Sequence, residues 1–204
     1  MINDEQLKQA GQDGEKSASK ALSVLAKRNV SVSTFDTKKV NTVQSEEILA
    51  EIKSHAVVAY TQAVTGVSGA SILSMERTDA LDMVDLFNNR PKGTTVVMQE
   101  LDRSTVRETL NILSNSYVTE LAKIIGQSIM LDVPKMITQG SLEKVLDKSG
   151  ANRETQAIFF GTKLNVAGEE FQVKLNFLFF ANENNQVKPD ETSGIKSIEN
   201  NQTN

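Results

Sequence analysis

The sequence predicts an α+β fold of two pseudo-symmetric halves, each a long helix plus antiparallel strands, with the two long helices packed on a sheet. Three observations carry this. Residues 7–36 align with residues 106–135 at a constant offset and without a gap; Leu7 matches Val106, Leu22 matches Leu121, Leu25 matches Ile124, Val30 matches Ile129 and Val32 matches Leu131. In each half a stretch with apolar residues at helical spacing is followed by stretches of strand-like alternation. The order helix, strand, strand, strand then occurs twice, which is an α+β pattern. Two such halves pack most simply about a pseudo-two-fold axis.

The first helix is expected over residues 4–28, with Leu7, Ala18, Leu22 and Leu25 inward. Gly11 and Gly14 fall on that same face. Each glycine weakens a helix by roughly 1 kcal/mol, so close approach of another backbone is the expected compensation. Val30, Val32 and Thr34 alternate as in a strand over 29–35. A short helix follows over 46–54, then strands over 56–64 and 70–75 joined by a glycine turn at 66–69. A helix is expected over 79–88, with Asp79 suited to its N-cap. Residues 88–93, Asn-Asn-Arg-Pro-Lys-Gly, are dense in turn formers and mark the joint between halves at about 1–90 and 93–181.

The second long helix is expected over 103–126, ending at Gly126 as a C-cap. A strand over 128–133, a short helix over 142–148 and a hairpin of strands 156–165 and 171–181 across Ala167-Gly168 complete the second half. Residues 182–204 are Asn-rich and polar, with too little apolar surface to pack, and are expected to form a disordered tail.

Composition excludes several classes of chemistry. The net charge is −4, no Lys/Arg run resembles a nucleic-acid footprint, and aromatic residues are 5% of the chain. With no cysteine there is no disulfide, thiolate metal site or cysteine nucleophile. The single histidine, His55, precedes a strand-like run and has no nucleophile-elbow motif to serve. Asp79, Asp82 and Asp85 recur every three residues and read as the wet face of a helix rather than as metal ligands. Apolar runs such as Phe177 to Ala181 are too short to cross a bilayer, and the first residues lack a signal-peptide pattern. A cytoplasmic protein with no membrane insertion and no nucleic-acid partner is expected.

The polar residues of the second helix carry the functional signal. Ser104, Glu108, Asn111 and Asn115 stand three or four residues apart, so they form one stripe. Val106, Leu110, Leu113, Tyr117, Leu121 and Ile124 take the opposite face, where a core would hold the helix rigid. Pro134 follows Asn111 by 23 positions. On spacing alone this stripe is a solvated helix face.

The pattern Ser104-x3-Glu108-x2-Asn111-x22-Pro134 resembles the signature of the CheC/CheX/FliY family of chemotaxis phosphatases. The likeness extends further. Residues 101–136 resemble the second signature helix and following strand of CheC; residues 7–18, with Gly11 and Gly14, resemble its glycine-rich first helix; residues 66–86 resemble its Gly-containing strand and helix. It covers residues 5 to about 180, and two halves fit CheC better than CheX, with its one signature, or FliY, with its extra domain. The resemblance implies hydrolysis of the aspartyl phosphate of phosphorylated CheY. It implies no cofactor of the chain's own, the Mg²⁺ sitting on CheY. It places Glu108 against a lysine of CheY, Asn111 on the attacking water and Pro134 in a structural role. Ser104 and Asn115 complete the motif.

The first copy departs from the family pattern. Gln9 and Gln12 stand where the family's Glu and Asn would, Lys16 replaces Asn115 and Phe35 replaces Pro134. One active site rather than two is expected, with the first site degenerate. The family resemblance also brings rival roles of another class: an adaptor that binds the receptor deamidase CheD, or a flagellar-switch component with little catalysis.

Overall fold

Both long helices begin where the sequence satisfies their first free amides. In helix α1 (Asp4–Ala26) the Asn3 Oδ1 accepts the Gln6 N–H at 2.8 Å while the Gln6 Oε1 accepts the Asn3 N–H at 3.1 Å, a reciprocal cap. The helix ends at Lys27 in the left-handed conformation, φ 52°. The computed structural model describes residues 3–40, 50, 52, 54, 56–137 and 157–180. The helices expected over 46–54 (largely) and 142–148, His55 and the tail at 182–204 lie outside the described residues.

Strand β1 (Val30–Val40) follows, then the hairpin β2 (Val57–Thr65) and β3 (Ser68–Met75). Gly66 at their turn has φ +82°, and a Cβ there would lie 2.1 Å from the Ser128 carbonyl oxygen, so only glycine fits. Helix α2 (Arg77–Phe87) opens on Glu76, which puts Asp79 inside its first turn rather than at the N-cap. Helix α3 (Glu100–Ile125) ends on Gly126 at φ 73°, the C-cap that the sequence predicts. Strands β4 (Met130–Leu131), β5 (Lys135–Met136), β6 (Ala157–Val166) and β7 (Glu169–Phe180) complete the order. Ala167 and Gly168, both at positive φ, close the β6–β7 hairpin.

One antiparallel sheet runs β1-β6-β7-β3-β2-β4, with β5 also paired to β2. The two halves interlock through it. The hairpin of the second half takes β1 of the first half on its outer edge, and the hairpin of the first half takes β4 of the second. The hairpins meet at β3 and β7, which makes the arrangement pseudo-two-fold. The α+β fold with two long helices on a sheet is therefore what the chain adopts, with α2 as a third helix.

The core lies between α1, α3 and one sheet face. Leu7, Ala18 and Leu22 from α1 and Val106, Leu110, Leu113, Tyr117 and Leu121 from α3 are buried against Phe160, Leu164, Leu175 and Phe177. Tyr117 is the central piece: its ring centroid lies 4.9 Å from Phe160 and 5.9 Å from Phe177. The two α1 glycines serve these rings. A Cβ on Gly14 would stand 2.8 Å from Tyr117 Cδ1, and one on Gly11 would stand 3.4 Å from the Phe160 ring. The expected close backbone approach is thus corrected to aromatic side chains seated in the glycine notch.

Asp85 also differs from expectation. It is fully buried rather than on a wet face, accepting the Thr95 N–H at 2.9 Å and the Thr95 hydroxyl at 2.5 Å, with Arg90 Nε at 3.2 Å. Arg90 also pairs with the buried Asp102, whose Oδ2 accepts the Gln99 N–H at 2.8 Å. Burial raises the pKa of both acids, but these donors outweigh it and hold both below the ordinary carboxylate range. Periodicity cannot reveal such a residue, because its partners come from the 90–102 loop and helix start. The network fixes the start of α3, on which the polar stripe is built.

Candidate functional site

Helix α3 presents the stripe as the spacing predicts. Ser104, Glu108 and Asn115 are exposed and Asn111 half-buried, while Val106, Leu110, Leu113, Tyr117 and Leu121 on the other face are fully buried. Next to the stripe runs the chain that follows α3. Its expected strand over 128–133 is cut to the two residues of β4. Asp132 Oδ1 accepts the Val133 N–H at 2.7 Å, and Pro134 has no N–H to pair, so the ladder breaks there before resuming at β5. The Thr61 hydroxyl on the Asp132 carbonyl, at 2.5 Å, and the Asp132 N–H on the Gln62 carbonyl, at 2.8 Å, pin the break to β2.

Between this break and α3 lies a groove of about 320 Å³ lined by Ser104, Arg107, Glu108, Asn111, Leu131, Asp132, Val133 and Pro134. Ser104, Glu108, Asn111 and Pro134, the four residues of the sequence motif, therefore share one surface depression. Asn115 lies one turn on and donates from Nδ2 to the Asn111 Oδ1 at 2.9 Å and to its carbonyl at 2.8 Å. The Asn111 amide is thus oriented, and among the described residues it keeps both Nδ2 hydrogens and an Oδ1 lone pair for a water or ligand.

The charges around the groove are unequal in their commitments. Arg107 Nη2 pairs with Glu100 at 2.6 Å, and Lys135 with Asp132 at 2.9 Å. The Lys135 hydrogen bond, with the Val133 amide, holds Asp132 below its usual range. Glu108 makes no hydrogen bond or ion pair among the described residues. Arg107 and Asp132 were missed by the sequence motif. Arg107 stands three residues after Ser104 and four before Asn111, so helical spacing already places it beside the stripe, whereas Asp132 becomes a lining residue only because the strand breaks.

The first copy has a different geometry. Gln9 donates from Nε2 to Asp13 Oδ2 at 2.8 Å, and Lys16 pairs with Asp13 at 3.0 Å. Gln12 is exposed. Beside α1, strand β1 does not break; it continues to Val40, bulging between Thr34 and Asp36. Three side chains of α1 tie it down. Ser23 Oγ accepts the Val30 N–H at 2.9 Å, Ser19 Oγ accepts the Val32 N–H at 2.8 Å, and the Glu15 carboxylate accepts the Thr34 N–H. Their counterparts in the second copy are Ala122, Val118 and Ser114. Ser114 faces Ser71 instead, with the two hydroxyl oxygens 2.6 Å apart. Gln9 lines a separate depression of about 330 Å³ between α1 and the end of α3, with Glu5, Asp13, Glu120 and Lys123; Gln12 and β1 do not.

No helix of the described residues is long and apolar enough to cross a membrane, and those residues contain no cluster of three metal-ligating side chains. No protein-family sequence model matches the chain. Solved structures share its fold. FliY of Thermotoga maritima superposes with a TM-score of 0.65 at 17% identity, covering 86% of this chain and 91% of that one. A chain of the FliG–FliM complex from H. pylori gives 0.61 at 10% identity, covering 87% and 96%. A chain of the CheX–CheY–BeF3–Mg²⁺ complex from Borrelia burgdorferi gives 0.54 at 15% identity, covering 85% and 97%. The interlocked halves, the paired long helices and these superpositions together give the chain the CheC/CheX/FliY-family fold.

Proposed function

We propose that the chain is a phosphatase acting on the phospho-aspartate of the chemotaxis response regulator CheY, with one active site formed by the groove beside α3. The observation that carries this is the pairing of an uncompensated Glu108 with an oriented Asn111 amide, one helical turn apart in one groove. An acyl phosphate, with the Mg²⁺ that the response regulator carries, is already activated toward water; the chain supplies no metal of its own. What remains is to hold a water in line, a positional task. The Asn111 amide, being neutral, does this without titrating, and Asn115 fixes its rotation. Glu108 anchors a cation of the partner surface beside the phosphoryl group. Ser104 lines the groove a turn before Glu108, and Pro134 shapes the opposite wall.

The first copy is degenerate on this reading. Gln12 carries its amide one bond too far, and the stapled β1 leaves no equivalent wall. The fold's occurrence in FliM and in FliY favours one alternative, a flagellar-switch component that binds a FliG-like partner without catalysis. An adaptor for CheD is the other. Mixing the chain with phosphorylated CheY and Mg²⁺ and following phosphate release separates the readings: accelerated release supports the phosphatase, while unchanged release with co-purification of FliG or CheD supports the switch or adaptor role.

A further inference from the structure

Seven large hydrophobic residues are exposed among the described residues: Val24, Val64, Val96, Val97, Leu101, Met130 and Val133. Scattered singly, such residues need no explanation. Here Leu101 and Val133 belong to the segments that build the groove, and Val64 and Met130 to the adjoining β2–β4 edge. Leu101, 63% exposed, stands three residues before Ser104 and seven before Glu108, so it continues the stripe at its N-terminal end. Val133, 72% exposed, lines the opposite wall. Met130 and Val64 follow on the adjoining β4–β2 edge, where Met130 pairs with Thr65.

We propose that Leu101 and Val133 are the recognition residues by which the groove docks the phosphorylated receiver domain, an inference that rests on the phosphatase reading. Charge selects this occupant. Glu100 meets Arg107 and Asp132 meets Lys135, so Glu108 is the one groove-lining carboxylate without an ion-pair partner among the described residues, set between the apolar Leu101 and Val133; the exposed Arg103 of the same helix does not line the groove. That pattern matches a protein surface bearing a cation framed by apolar side chains. It disfavours an anionic membrane, which would meet a carboxylate at the centre of the patch. Association would remove the exposed Leu101 and Val133 side chains from water, and the charged contact between them would add specificity. The two residues bear on association, while Asn111 bears on the chemistry.

The test measures binding by calorimetry with CheY loaded with BeF3 and Mg²⁺, together with phosphate release from phosphorylated CheY. Leu101→Ser and Val133→Ser should each weaken binding about tenfold, the effect of losing about 1.4 kcal/mol of contact. KM should rise in parallel, with kcat within about twofold. Val24→Ser, equally exposed but remote in sequence from the groove segments, is the control and should change neither. Unaltered melting temperatures establish that the variants fold. Undiminished binding by the Leu101/Val133 double variant overturns the proposal, as does an equal loss with Val24→Ser. A wild-type chain that binds loaded CheY but does not speed phosphate release overturns the phosphatase reading, while the binding arm still decides the docking surface. Failure of the wild type to bind overturns both.

Discussion

Asn115 donates its side-chain amide to Asn111 Oδ1 at 2.9 Å, so the residue placed to hold water has its own rotation held by the next turn of the same helix. Without that bond the half-buried Asn111 would sample both amide orientations. Asn115→Ala should therefore lower kcat several-fold with KM little changed, and Asn115→Gln should not restore it, because the longer side chain misplaces the donor. Steady-state phosphate release from phosphorylated CheY checks this; a change in KM alone would mean that Asn115 contacts the partner instead.

Glu108 should act through charge. Glu108→Gln keeps the shape but removes the one groove carboxylate without a partner among the described residues. KM should rise several-fold, and the gap between wild type and variant should narrow with added salt, since exposed charges are screened over about 8 Å at physiological ionic strength. A salt-independent difference would assign Glu108 a role other than ion pairing.

The first copy should be silent. Gln9 is engaged with Asp13, and Gln12 has no opposing wall, because β1 is stapled to α1 through Glu15, Ser19 and Ser23. Gln9→Ala and Gln12→Ala should leave phosphatase activity within about twofold. A glutamine reaches about 1.5 Å beyond an asparagine, and a misplacement of about 1 Å can already cost on the order of 10²-fold. Loss of activity on changing Gln12 alone would show that the first copy works.

Stability should hinge on the glycine notch. Gly14→Ala places a methyl 2.8 Å from the buried Tyr117 ring. Overpacking of this kind costs about 1–3 kcal/mol, outweighing the roughly 1 kcal/mol that alanine gains in a helix. Thermal melting should show a lower midpoint; an unchanged or higher midpoint would mean that Tyr117 has room to move.

The helices and the polar stripe were legible because they are local. Leu7, Leu22, Leu110 and Leu121 repeat at the helical period, and Gly126 stops α3 where a C-cap should stand. The match between Leu7–Val32 and Val106–Leu131 also anticipated the pseudo-two-fold strand arrangement. The short β4 was less legible, because it depends on Asp132 capturing the amide of Val133 in competition with the sheet, an outcome that apolar alternation does not register. Asp85 misled for a related reason: its three-residue spacing to Asp82 looks like solvent exposure, and only the distant Thr95 and Arg90 make its burial tolerable. The Gly11 and Gly14 face correctly signalled close packing, but could not say whether backbone or ring would fill it.

The central claim rests on Asn111, and the most direct measurement is phosphate release from phosphorylated CheY with Mg²⁺, comparing the wild-type chain with Asn111→Ala. The account predicts that the wild type accelerates release and that the variant, folded and still binding CheY, loses about 10²-fold of that acceleration. Undiminished acceleration by Asn111→Ala would contradict it.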